Sequence, residues 1–493
     1  MIMMWEDLLS TKRKNDSDIT RIKKIESNVF INPFDFDYRR IVQSASFRRL
    51  QDKTQVFPLE KIDFVITRLT HSIEVSAIAE GIGQMVVKNL KEHLLKKNEV
   101  DIDDIPNILK CAGLIHDLGN PPFGHFGEHI IQTWFKKNLS ELNIHKIPLY
   151  TEKENCILED YLATDFCNFD GNAHTFRIVN RLHIDRGQSG LNLTNAVLSS
   201  IGKYTVPSKE IKKDDRITSK KMGYLYSEQE DILDIARDVG TLAEDNQTIH
   251  RHPLSFIVEA ADDIAYRLAD LEDTFKKGLV SLTDLINYMN KQLNHYASSR
   301  EEGALSKTTE LIEELTRLHL EDDLNTDYNI LNKWLFDVQI HLMNVAKFSF
   351  TRNYSKIMAG TYNDDLFKNT YHEYTMEILK DVSVKFAFSN RDVNVLELSS
   401  EVIIVYFLDK LVPAVIHYGT DAMSKVDKKF IELISDNYLE NYKLIAKDLE
   451  TKHAGRELEM HKLYHRILVA IDFIAGMTDT YARDLYNKLQ GID

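Results

Sequence analysis

The stretch Ile108-Leu109-Lys110-Cys111-Ala112-Gly113-Leu114-Ile115-His116-Asp117-Leu118-Gly119 decides how the chain is read. Ile108, Leu109, Ala112 and Ile115 recur at helical spacing, so the segment is an apolar helix. It stops just before Gly119, a natural helix terminator, and its last residues are His116 and Asp117. An imidazole beside a carboxylate at a helix end can hold a metal ion. Working outward, the same three- and four-residue spacing fills Ile66 to Val87, Pro253 to Phe275, Thr309 to Leu320, Val402 to Ile416 and Leu463 to Leu489. Glycine (19) and proline (9) are scarce, and no alternating run is long enough to build a sheet. The expected fold is mainly α, without a substantial sheet. Residues 1–290 carry the chemistry-bearing stretches, and 291–493 read as a helical C-terminal region packed on them.

Composition narrows the function classes. The 493 residues hold 61 Lys+Arg against 76 Asp+Glu, a formal charge of −15. That field disfavours a general nucleic-acid coat or a basic membrane-surface protein. A hydrophobic share of 43% with 28% charged residues is that of a globular chain. The longest apolar run, Val402 to Leu408, is far short of a bilayer span. The opening residues lack a signal-peptide pattern, which leads us to expect a cytoplasmic protein. Cys111, Cys156 and Cys167 show no metal-type spacing and read as reduced packing residues.

Two further helices carry groups that suit a partner for His116-Asp117. His71 lies in Arg68-Leu69-Thr70-His71-Ser72-Ile73-Glu74-Val75, flanked at helical spacing by apolar residues. Asp262-Asp263 interrupts Glu259-Ala260-Ala261-Asp262-Asp263-Ile264-Ala265-Tyr266. Consecutive residues differ by about 100° around a helix, so one aspartate faces inward while the other turns to a rim. Asp262, Tyr266 and Asp270 form one polar stripe beside the small residues Ala261 and Ala265. Two histidines and two aspartates make a mixed nitrogen and oxygen donor set, which suits Mn, Fe, Co, Ni or Zn better than Mg.

The order His71, His116-Asp117, Asp262 resembles the H…HD…D pattern of the HD phosphohydrolase superfamily. Longer words are similar to those of the bacterial deoxyguanosine triphosphate triphosphohydrolases: Arg48 to Pro58, His116 to Glu128, Phe169-Asp170-Gly171-Asn172-Ala173, Lys203-Tyr204-Thr205, Lys220 to Tyr224 and Gly476-Met477-Thr478-Asp479. The resemblance covers essentially the whole chain and implies an HD-type helical core elaborated by additional helices. It implies that His71, His116, Asp117 and Asp262 bind a divalent metal, and that His125 with Glu128 serves the scissile bond. By the same resemblance Gln55, Tyr266 and Asp270 meet the sugar, Asn172, Lys203, Tyr204 and Lys221 the rest of the nucleotide and its phosphates, and Phe388 with Glu397 the base. Downstream the chain offers Lys425, Lys428 and Lys429 and no arginine between Arg391 and Arg456, where relatives supply arginines toward the base. Lysine lacks the planar fork, so guanine choice is where this chain departs from the family pattern.

The implied reaction is water attack at the α-phosphorus of a deoxynucleoside triphosphate, releasing inorganic triphosphate, with His125 protonating the leaving nucleoside. Relatives are commonly hexameric, and some respond to single-stranded DNA or a second nucleotide. Two other readings compete. One is a regulatory nucleotide-binding HD protein with little turnover. The other is an H-x-x-E-H metallopeptidase, from His125-Phe126-Gly127-Glu128-His129, although Gly127 should weaken the helix that motif needs.

Overall fold

A computed structural model describes residues 2–15, 32–55, 66–95, 100–139, 158–185, 188–212, 216–298, 303–321, 325–388 and 391–492. Val56, Phe57, Pro58, Cys156, Ser389 and Asn390, quoted above or within quoted stretches, lie outside the described residues, as do 213–215. The fold is helical throughout. Among the described residues the one sheet is an antiparallel pair of two-residue strands, Ile184–Asp185 and Gln188–Ser189.

The helices that matter below are α1 (Arg68–His93), α2 (Ile105–Ile115), α3 (Gly124–Asn138), α4 (Gly171–Arg177), α5 (Pro253–Lys276), α6 (Asp327–Arg352), α7 (Arg391–Ile416), α8 (Asp436–Lys452), α9 (Gly455–Gly476) and α10 (Asp479–Gln490). Local chemistry sets their ends. Thr67 and Thr70 exchange a capping box at the start of α1. α5 begins with Pro253, whose missing N–H costs nothing there, and the His252 side chain accepts from the Leu254 N–H. The helix read as Leu463 to Leu489 is two helices, because the chain breaks at Met477 and Thr478 caps α10 through the Tyr481 N–H.

α1, α2, α5 and α6 pack together. Their core includes Ile78, Ile82, Ile108, Leu109, Ile257, Ile264, Trp334 and Leu342, all buried. Each such side chain stabilises the fold by about 1.5–3 kcal/mol. A second apolar cluster joins α3 to α7 and α9 through Ile131, Phe135, Phe166, Phe407, Leu411, Tyr464 and Ile467. The first cluster runs on past residue 290 to Val382, and the second draws on both sides of it.

One close approach positions the site. A Cβ on Gly113 would stand 2.6 Å from the Ser76 Cα, so α1 and α2 cross almost backbone to backbone. Ser76 Oγ donates to the Lys110 carbonyl at 2.8 Å across the same crossing. That crossing brings His71, near the start of α1, beside His116, at the end of α2.

Candidate active site

His71, His116 and Asp117 offer ligand atoms that all lie within 4.8 Å of one another. Asp262, from α5, joins them: its Oδ1 is 3.1 Å from His71 Nε2 and 3.5 Å from His116 Nε2. His71 and His116 meet edge to face, with ring centroids 5.4 Å apart. His116 Nδ1 donates to the Gly113 carbonyl at 2.7 Å, which leaves Nε2 facing the cluster. That Nε2 is buried, has no hydrogen-bond partner, and stands 3.7 Å from Asp117 Oδ2. An unpartnered imidazole nitrogen between two carboxylates calls for a cation, and the two-nitrogen, two-carboxylate set suits a divalent transition ion. Burial opposes charge on His116, yet the Asp117 and Asp262 carboxylates outweigh it and lift its pKa to about 9. The same negative field is what a bound metal ion would neutralise.

Asp117 is held from the outside. Arg68 Nη1 donates to its Oδ2 at 2.5 Å and Asn120 Nδ2 to its Oδ1 at 2.5 Å. Burial would raise the Asp117 pKa, but Arg68 and then His116 bring it down to about 2. Donors that hydrogen-bond a carboxylate at a metal site fix its orientation in this way. Arg68 in turn explains Gly124, where a Cβ would come 2.7 Å from Arg68 Nη2 at a left-handed φ of +63°.

His125 and Glu128 form the second unit, one turn apart on α3. His125 Nδ1 lies 3.1 Å from Glu128 Oε2, while the Gly171 N–H donates to Glu128 Oε1 at 2.7 Å. Glu128 is buried, whereas the His125 side chain is 72% exposed, so its Nε2 is left free to meet a ligand. The Glu128 hydrogen bond raises the His125 pKa against the effect of burial. A Cβ on Gly171 would stand 2.0 Å from Asn120 Oδ1 and 2.7 Å from Glu128 Oε1. Only glycine lets α4 come this close.

A ring of cations stands nearby. Lys221 Nζ is 2.7 Å from Asp170 Oδ2 and 3.9 Å from Glu128 Oε2. Lys203 Nζ is 3.1 Å from Glu259 Oε1, and Arg251 Nη1 is 2.7 Å from Glu259 Oε2. Burial works against both lysine charges, but Glu259 beside Lys203 and Asp170 beside Lys221 hold them protonated. Asn172, Lys203 and Tyr204 line one small cavity of about 50 Å³.

Comparison with known proteins places the chain in a family. Residues 68–158 match the HD domain family. Over 99% of its length the chain is 41% identical to the whole of a deoxyguanosinetriphosphate triphosphohydrolase-like protein of Listeria innocua. It is also 32% identical to the deoxyguanosinetriphosphate triphosphohydrolase of Salmonella typhimurium, covering 93% of this chain and 94% of that one. The chain belongs to the deoxyguanosinetriphosphate triphosphohydrolase family. A probable family member from Pseudomonas aeruginosa is 30% identical over 92% of each chain.

The remaining groups expected from this family pattern fall into two sets. Gln55, Tyr266 and Asp270 lie around the start of α1. Lys53 and Thr54 pair with Arg68 and Thr67 there, and Asp273, one turn beyond Asp270, accepts the Ile66 N–H at 3.1 Å. Tyr266 meets the His71 ring edge-on, with centroids 6.4 Å apart. Gln55 Oε1 and both Asp270 carboxyl oxygens are buried without partners. Burial pushes the Asp270 pKa well above the usual range, and nearby Ser383 spends its hydroxyl on the Leu379 carbonyl. Phe388 and Glu397 are less committed. Phe388 ends the π-helical segment Ser383–Phe388, which packs on α5, and the residue is 37% exposed. Glu397 is half-buried on α7, and burial raises its pKa. Neither is bonded to the His71 cluster among the described residues.

The H-x-x-E-H alternative requires one correction. Gly127 does not break the helix: α3 runs from Gly124 to Asn138. Gly127 is there because a Cβ would stand 2.2 Å from the Pro122 carbonyl. His125 and His129 therefore share a helix, both exposed, but Glu128 is turned to Gly171 and His125.

Several supports were missed in the sequence. Arg68, Glu259, Asp170 and Gly171 hold Asp117, Lys203, Lys221 and Glu128 respectively. Arg68 sits three residues before His71 and Asp170 directly before Gly171, so adjacency was the available signal. Asp263, the rim aspartate, faces Lys203 and Arg267, and burial raises its pKa to about 6.

Proposed function

We propose that this chain hydrolyses deoxynucleoside triphosphates, with dGTP preferred, to the deoxynucleoside and inorganic triphosphate. The observation that carries the reading is the unpartnered His116 Nε2 among His71, Asp117 and Asp262, in a chain of this family. Those four residues would hold a divalent metal ion. When bound, such an ion supplies Lewis-acid activation of water and of the α-phosphoryl group.

The protein's own groups do the rest. His125, with its pKa raised by Glu128, holds a proton at Nε2 for the departing ribose 5′-oxygen. Glu128 keeps the Nδ1 side of the ring occupied and so fixes which nitrogen faces the bond. Lys203 and Lys221 neutralise the phosphate tail, with Tyr204 and Asn172 alongside. The unpartnered Gln55 and Asp270 atoms take the sugar 3′-hydroxyl, and Tyr266 crowds C2′ against a ribonucleotide. Phe388 stacks on the base and Glu397 accepts from a guanine edge. Residues 1–290 form the phosphohydrolase core, and 291–493 add base recognition and oligomer contacts. The reading extends to a cytoplasmic homohexamer that answers to single-stranded DNA or a second nucleotide.

The test is to incubate the purified protein with each deoxynucleoside triphosphate and each of Mn, Mg, Fe, Co, Ni and Zn, then resolve the products by ion chromatography. Inorganic triphosphate is expected. Orthophosphate or pyrophosphate as the first product refutes the reading, and stoichiometric binding without turnover replaces it with a regulatory one.

A further inference from the structure

The turn between α8 and α9 carries a second group of metal-type donors, remote in sequence from the candidate active site. His453 caps the end of α8, and Gly455, at a left-handed φ of +58°, lets the chain reverse into α9. Glu457 and His461 follow one helical turn apart on α9. His453, Glu457 and His461 each offer a ligand atom within 4.8 Å of the other two. His453 Nδ1 is 3.2 Å from Glu457 Oε1, and the His453 and His461 rings stack with centroids 4.3 Å apart. Tyr226 stacks on His461 at 5.9 Å and helps to fix its ring.

A second observation points to a ligand here. The two histidines line a cavity of about 450 Å³ together with His465, the next turn of α9. His465 is only 7% exposed, and its Nδ1 is buried with no hydrogen-bond partner. A surface ion pair between His453 and Glu457 would account for one contact. It would not account for the convergence of His461 on the same two donors, nor for the unpartnered nitrogen of His465, a residue that lines the same cavity.

We propose that His453, Glu457 and His461 form a second divalent-metal site for a zinc-class ion. Two imidazoles and one carboxylate are the donor set of a tetrahedral ion that keeps one position for water. The cavity beside His465 leaves room for that water. The ion would tie the end of α8 to α9, the helix whose Asp472 and Ala475 reach the loop of the candidate active site.

The test uses the full chain with Zn²⁺ or Co²⁺ alone as probe, metal content being read by mass spectrometry after dialysis. Two equivalents per protomer are expected for the unmodified protein, and one for His453→Ala and for Glu457→Gln. The His453 and Glu457 side chains are 23% and 61% exposed, so both variants should fold, which circular dichroism checks. Both should keep triphosphohydrolase turnover while losing part of the Zn²⁺-dependent rise in melting temperature, the part that His116→Ala retains. His116→Ala should keep the second ion. A single equivalent that survives His453→Ala and vanishes in His116→Ala overturns the proposal and leaves the active-site reading standing.

Discussion

Glu128→Gln is the most discriminating perturbation because two donors depend on two different oxygens of this carboxylate. Oε1 accepts the Gly171 N–H at 2.7 Å and Oε2 faces His125 Nδ1 at 3.1 Å. A glutamine has one oxygen, so one donor loses its acceptor, at a cost of about 1–3 kcal/mol for the buried group. The variant also removes the charge that supports a protonated His125. Coulomb's law at 3.1 Å with an effective dielectric of about 20 gives about 5 kcal/mol. Because the His125 side chain is 72% exposed, solvent screening cuts this to about 1–2 kcal/mol. The sign follows directly. Glu128 raises the His125 pKa, so the acid form is lost only as pH climbs through that raised value; without the charge it is lost earlier. Turnover should fall by about 10²-fold or more, and the basic limb of the kcat profile should move to lower pH. Metal content should not change. A double-mutant cycle with His125→Ala should be strongly non-additive, since the two act as one unit. Unchanged turnover with an unmoved basic limb refutes the assignment.

Four other outcomes are expected. Gly171→Ala places a Cβ 2.0 Å from Asn120 Oδ1, so melting temperature and turnover should both fall, with about 1–3 kcal/mol lost in urea unfolding. Asp472→Asn disrupts a bidentate pair in which Arg177 Nε and Nη2 stand 2.8 and 2.7 Å from the carboxylate, and should cost about 3–5 kcal/mol in the same assay. Asp270 has a folded-state pKa raised far above the ordinary 3.8, so its contribution is full below that value and declines as pH rises. Asp270→Asn should therefore be relatively more stable at pH 8 than at pH 4 when compared with the parent, and a parallel pH dependence of the two would refute the buried neutral carboxyl. Chelation should abolish turnover and lower the melting temperature, because Asp117 and Asp262 then share a site without their cation, and added Mn²⁺ should restore both.

The helices and the donor residues were legible because their signals are local. Periodicity placed α1, α2 and α5, and each metal-type donor is a side chain whose chemistry is written in its name. What holds those donors was not legible, since it depends on contacts between distant segments. Nothing in the spacing says that Gly171 must let Glu128 accept a backbone N–H, or that Gly113 sets the crossing of α1 and α2. The break at Met477 was missed because apolar spacing continues across it, whereas Thr478 ends the run by capping the next helix. Gly127 was misread for the opposite reason: its low helix propensity is real, but close packing on Pro122 outweighs it. The second histidine group, His453, Glu457 and His461, is spaced by four in the sequence, but the left-handed Gly455 between the first two hides that they share one turn.

The largest illegible feature is how the C-terminal helices hold the loop after His116-Asp117. The HD match ends at residue 158, yet the loop's long-range backbone bonds run to groups beyond residue 170 or to groups they anchor. The Gly119 N–H donates to Thr175 Oγ1 at 2.8 Å, and the Gly119 carbonyl meets His174 Nδ1 at 3.1 Å. His174 Nε2 in turn stands 3.2 Å from Asp472 Oδ1, on α9. Buried Lys53 Nζ bridges the Asn120 carbonyl, at 2.5 Å, to the Ala475 carbonyl, at 2.7 Å. Asp479 then divides its carboxylate between the Phe123 N–H at 2.9 Å and the Thr54 N–H at 3.0 Å. Three carbonyl or amide groups of one short loop thus end on residues 472, 475 and 479. A chain cut at residue 290 would take Ala475 from Lys53, Asp472 from His174 and Arg177, and Asp479 from the Phe123 N–H. Gly119, Asn120 and Phe123, which these groups hold directly or through Lys53 and His174, lie between Asp117 and Glu128, so the His71 cluster and the His125 pair depend on the far end of the sequence for their shape.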